Sequence, residues 1–211
     1  MVAPLDAVKA FHNAFRKDMA LIDDAANKAA QGKGNLEVVS KRYTFFNEVL
    51  VWHANGEEEI VFPALEKVAP LVTPPYEKDH RGLDNIYEIL DKAVKNLDNL
   101  AIARATCAFE FHLRMHLNKE DELLYPLLSE RVPMAEQAAI SGKMSQKIPQ
   151  ERFAEVIGWL FPLIGITDRE NVTRILQRVV PEPAFLGIKK LIQYTLGNEW
   201  AELAQRIPEL K

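Results

Sequence analysis

Histidine and cysteine are both scarce in this 211-residue chain, and basic charge is not in excess. Only five histidines and one cysteine are present, and 26 Lys and Arg stand against 30 Asp and Glu, for a net charge of -4. The single cysteine excludes an internal disulfide, and its place in the apolar stretch ATCAFEF reads as a buried, inert thiol at Cys107. Without a basic field to neutralise phosphates, nucleic acid is not an expected partner. The longest apolar run, VIGWLFPLIGI at 156–166, is too short to span a bilayer and carries Pro162, while the amphipathic N-terminus lacks the apolar core of a signal peptide. No membrane is expected, and a cytoplasmic protein is.

Strict alternation of apolar and polar residues is also missing, which argues against strands. Apolar residues recur instead at three- and four-residue spacing through residues 4–131, the pattern of an all-α protein. Helices are expected from about Pro4 to Ala30, from Leu36 to Phe62 or slightly beyond, from Tyr76 to Val94, and from Ala101 to Leu128. Four long helices with two short joins point to an up-down-up-down bundle over residues 1–132. Residues 133–211 contain no histidine and read as an extension of three or four short helices, one opened by Pro149, one by a capping box at Thr167 and Glu170, and one ended by Gly197. Such an extension suits support of the bundle or contact with a protein partner better than catalysis.

The scarce histidines are not scattered. HANGEEEIVFP at 53–63 recurs 63 residues later as HLNKEDELLYP at 116–126, a histidine with an acid four places on and a proline ten places on. In an antiparallel hairpin, residues equally far from the turn lie at one height, because each helix rises by about 1.5 Å per residue. About Lys33, His12 lies 21 residues before and His53 20 after; about Asp98, His80 and His116 each lie 18 away. Glu57 and Glu120 follow their histidines by one turn on the same face, and His112 precedes His116 by one turn. Neighbours such as Val8, Phe15, Leu50, Leu83 and Phe109 turn these stripes toward the core.

Carboxylates in such a core carry a desolvation cost on the order of several kcal/mol per ion. No lysine or arginine lies on the same stripes, so a metal cation held by neutral imidazoles and carboxylates is the reading that satisfies them. Glu58 and Asp121 are candidate partners of the ligands, and Asp84 is a weak further candidate.

His12, HANGEEEIVFP, DHRGLD around His80 and HLRMHLNKEDELLYP together resemble the hemerythrin family in its broad form, the HHE cation-binding domains, over about residues 5–130. The resemblance implies a four-helix bundle around a di-iron centre. Glu57 and Glu120 match the bridging acids, His12 and His53 would serve one iron, and His80 and His116 the other. The chain departs from the oxygen carriers in having one histidine on the third helix and two on the fourth, so that His112 is read as a relocated fifth imidazole or as a hydrogen-bond partner of the ligands. Iron is implied, with zinc or manganese compatible with the same donors.

Two functions follow as expectations. One is a protein that binds O2 or senses oxygen or iron without turnover, favoured by apolar walls at Phe15, Leu50, Leu83 and Phe109. The other is a di-iron enzyme acting on peroxide or nitric oxide, for which Tyr87 is a candidate source of protons. Because ligating histidines must be neutral and their ordinary pKa is about 6.5, bound metal is expected to leave as pH falls from neutral to about 4; metal analysis after dialysis that finds none lost contradicts imidazole ligation.

Overall fold

The structure, a computed structural model, describes residues 3–210, and among them every regular element is helical. Helix α1, Asp6–Ala30, is followed by α2, Leu36–Gly56, whose first turn is capped by the Asn35 side chain accepting from the Glu37 amide. Helix α4, Pro74–Lys95, begins two residues earlier than expected, because its paired prolines occupy a first turn whose amides have no helical acceptor. Helix α5, Asn99–Lys119, also starts two residues early, at the point where the Asp98 carboxylate accepts from the Ala101 amide.

The expected second and fourth helices both continue past their acids, but through a widened turn. Residues Glu57–Val61 form one π-helical turn before α3, Phe62–Val68; Glu120–Leu124 form another before α6, Tyr125–Arg131. The cause is the repeated proline. Pro63 and Pro126 have no amide to return to the fourth carbonyl back and would crowd it, so the chain takes an extra residue per turn. The Phe62 amide then donates to the Glu57 carbonyl and the Tyr125 amide to that of Glu120, each five residues back.

Residues from Phe15 to Val132 make one compact unit, a four-helix bundle. Its helices run antiparallel to their neighbours, as the pairings show. Asp18 is bound by Arg42 and the Phe15 ring meets that of Phe46, joining α1 to α2; Tyr43 stacks on Tyr87, joining α2 to α4; and Tyr76 Oη donates to the Lys119 carbonyl, joining α4 to α5. Thr106 donates to Asp23 at 2.7 Å and Arg16 to Asp121 at 2.6 Å, closing the ring between α5 and α1. Phe15, Met19, Ile22, Phe46, Phe109 and Leu113 are essentially inaccessible to solvent and form the core.

The second unit holds the residues from Pro133 on. Where three or four short helices were expected, five occur: α7, Met134–Ser145; α8, Phe153–Leu163; α9, Ile166–Val179; α10, Glu182–Leu196; and α11, Trp200–Arg206. The expected capping box at Thr167 is replaced by a start at Ile166 after Gly165, which leaves Thr167 inside the first turn. The residues of α1 up to Ala14 belong to this unit rather than to the bundle expected over residues 1–132. The reason is their small, buried faces: Ala10 and Ala14 share a core with Ile157, Leu160, Phe161 and Leu203.

Two exposed leucines adopt left-handed backbone, Leu71 at φ 68° and Leu97 at φ 54°. The first lies in a loop held by Glu66, which accepts from the Leu71 and Thr73 amides and the Thr73 hydroxyl, each at 2.8 Å. Leu97 carries the turn between α4 and α5, where a branched side chain costs about 1 kcal/mol. Leu97→Asn is therefore expected to raise the chemical-denaturation midpoint modestly, since 73 % exposure leaves little burial to lose.

Candidate metal centre

Both widened turns deliver their first residue to the interior. Glu57 and Glu120 are fully buried, and each is the residue at which an α-helix turns to π. They come from α2 and α5, so that two acids from separate hairpins meet in the bundle. One ligating atom each from Glu57, His80, His116 and Glu120 lie within 4.8 Å of one another, all four residues buried; the corresponding atoms of His53, Glu57 and Glu120 satisfy the same limit. The two carboxylates are thus common to both groups.

Within these groups the contacts are close. His80 Nε2 and His116 Nε2 stand 3.1 Å apart, as expected of residues equidistant from the Asp98 turn. His53 Nε2 lies 3.2 Å from Glu57 Oε1, His80 Nε2 lies 3.4 Å from Glu57 Oε2, and His116 Nε2 lies 3.2 Å from Glu120 Oε1. His12 is fully buried on α1, three residues before Phe15, whose ring meets that of His53 edge-on at 5.3 Å.

The other nitrogens of two imidazoles face carboxylates. His80 Nδ1 is 2.8 Å from Glu58 Oε1, which Arg81 also binds, and His116 Nδ1 is 3.5 Å from Asp79 Oδ2, which Lys119 binds. A carboxylate on Nδ1 keeps that nitrogen protonated and leaves Nε2 with its lone pair aimed into the site. Glu58 fills the supporting role expected of it. Asp121 pairs with Arg16.

Three further expectations are corrected. His112 is exposed and lies outside both groups, its ring against Phe111 at 5.7 Å. Four residues turn a helix by about 400°, so each one-turn step drifts by about 40°, and His112 has rotated off the face that His116 presents. Asp84 is exposed and pairs with Arg81 at 3.6 Å. Cys107 is exposed, not buried, because Thr106 and Phe109 take the inward positions of that stretch.

Sequence reasoning missed Asp79 and Tyr125. Asp79 precedes His80 by one residue and so faces α5 rather than the centre, a placement that one-turn spacing does not flag. Tyr125 Oη donates to Glu57 Oε1 at 2.7 Å with both groups buried. Its signal lay in the repeat, where Tyr125 stands at the position that Phe62 occupies in the first copy.

The electrostatics separate the two acids. Burial pushes the Glu57 carboxyl up, but the charge and hydrogen bond of His53 and those of His80 outweigh it and hold it well below the usual carboxylate range. Burial and the adjacent Glu57 charge hold Glu120 well above that range. Burial lowers the His80 pKa, yet Glu57 and Glu58 more than offset this, and it is raised. Protons on Glu120 and His80 compete with any cation, so affinity for metal rises as pH climbs through both raised values.

A cavity of about 30 Å³ reaches this cluster, lined by His53, Glu57, His80 and His116 together with Leu50, Leu83 and Phe109. Its size admits a water or a diatomic molecule.

Imidazole and carboxylate donors converging without a lysine or arginine among them are what a divalent or trivalent metal requires, and the residues present fit such an ion. A four-helix bundle enclosing that donor set defines a cation-binding bundle protein. The family model for the hemerythrin HHE cation binding domain matches residues 3–78 and 72–144, and the chain belongs to that family. It is also similar to zinc finger protein BRUTUS of Arabidopsis thaliana, 27% identical over 187 residues that cover 85% of this chain and 15% of that protein. The BRUTUS-like protein At1g18910 of the same plant is 22% identical over 196 residues, covering 88% of this chain and 16% of its own length. The chain therefore spans about a sixth of these relatives. No solved structure matches it significantly.

Replacing Glu57 by alanine is expected to abolish metal uptake at both groups, because both share it, whereas His112→Ala leaves the metal content unchanged; metal analysis of the purified variants checks both outcomes.

Proposed function

We propose that this chain holds two iron ions bridged by Glu57 and Glu120, with His12 and His53 serving one and His80 and His116 the other, and that it binds O2 or senses oxygen or iron. The observation that carries the reading is that Glu57 and Glu120 are common to the donor group of His80 and His116 and to that of His53. Zinc or manganese would satisfy the same donors, and family membership is what favours iron. Iron would supply reversible one-electron chemistry toward a small oxidant. The protein's share is to hold donors, exclude water and restrict access.

The small cavity, with Leu50, Leu83 and Phe109 in its lining, supports binding of a diatomic molecule over turnover. One observation favours a second reading, an enzyme acting on peroxide or nitric oxide. Tyr87 also lines the cavity, and burial raises its pKa, so its hydroxyl stays protonated and can donate.

Placement in the cytoplasm and a protein partner for the helices after Pro133 complete the proposal. Among the described residues no helix is long and apolar enough to cross a membrane, and α10 exposes Leu186 and Tyr194.

The test is to load the reduced protein with ferrous iron and admit oxygen. A visible absorption that appears with oxygen and disappears on its removal is expected. Rapid consumption of added peroxide overturns the binding reading in favour of the enzyme, and failure to retain iron overturns both.

A further inference from the structure

The repeat that supplies the two acids is nearly symmetric, and a chemical inequality next to the centre is a hydroxyl. His53, Glu57, Phe62 and Pro63 correspond to His116, Glu120, Tyr125 and Pro126. Phe62 and Tyr125 both open a helix directly after a π-helical turn, and both are buried. Phe62 lies nearly parallel to the His80 ring at 5.6 Å, an entirely apolar use of the position. The slot therefore needs an aromatic ring but no polar atom. A phenol placed there in the second copy must satisfy its hydroxyl in a dry interior, and it does so on Glu57 at 2.7 Å.

Tyr125 is not among the residues lining the cavity, whereas Glu57 is. The phenol touches the cluster at Glu57, and its action on the centre passes through that carboxylate. Hydrogen bonds to a ligating carboxylate fix its orientation and draw electron density from the bonded oxygen. The Oε1 that accepts from Tyr125 is also the oxygen 3.2 Å from His53 Nε2, while Oε2 faces His80. The hydroxyl consequently marks one oxygen of Glu57 and leaves the other unmarked.

We infer that Tyr125 is a positioning residue that orients Glu57 through Oε1 and makes the two metal positions unequal donors, the His53 side being the weaker. The inference rests on the proposed ligation by Glu57, and cobalt serves as a probe of both. Protein stripped with a chelator is titrated with Co2+, following its visible bands, for the wild-type chain and for Tyr125→Phe. Phenylalanine matches what the first copy already places in the equivalent slot, so helicity is expected to persist by circular dichroism. Loss of the hydroxyl is expected to weaken Co2+ binding by about 10- to 100-fold and to shift the bands.

Unchanged affinity and unchanged bands in Tyr125→Phe, with a wild-type chain that binds Co2+, overturn the positioning role and leave the proposed ligation intact. A wild-type chain that takes up no Co2+ overturns the ligation itself. A Tyr125→Phe chain that fails to fold also overturns the positioning role, since the hydroxyl would then serve the fold and not the ligand.

Discussion

Two carboxylates in a dry core are the constraint around which this bundle is built. Uncompensated, each would carry a desolvation cost that the surrounding leucines and phenylalanines could not offset. Every neighbouring feature answers that cost. Imidazoles stand within hydrogen-bond distance of each acid, and burial with the adjacent Glu57 charge raises the pKa of Glu120 and so favours its neutral form. The interior otherwise remains apolar, with Phe15, Phe46 and Phe109 packed edge to face above the donors.

The π-helical turns are the local means of meeting that constraint. An uninterrupted α-helix would turn the Glu59 carbonyl toward Pro63, which has no amide to donate to it. Widening the turn satisfies the Glu57 carbonyl with the Phe62 amide, and the same occurs at Glu120 with Tyr125. Proline in this chain is therefore part of the site. It sets where the helix departs from its ordinary pitch, and that departure begins at the acid in both copies.

Support for the imidazoles comes from outside the core. Glu58 and Asp79 are both partly exposed and each is held by a cation, Arg81 or Lys119. Charged groups at the rim orient rings at the centre, which lets the interior stay free of lysine and arginine. His80 is supported by the residue after Glu57, and His116 is supported from α4 by the residue before His80.

Helical content, the antiparallel order of the bundle and the meeting of His80 with His116 were legible in the sequence alone. Each depends on local rules: apolar spacing, capping, and a constant rise that turns distance from a bend into height. The ring of His12 and the acids Glu57 and Glu120 were legible for the same reason. What rotation decides was not legible. His112, placed by spacing on an inward stripe, and Cys107, placed by its apolar neighbours, are both exposed, because a few tens of degrees of rotation separate a core position from a rim position at a bundle edge. The attachment of α1's first residues to the C-terminal helices, the pairing of Asp79 with His116, and the reach of Tyr125 to Glu57 all join residues far apart in the chain. Such contacts are set by how whole helices pack, which only the tertiary structure decides.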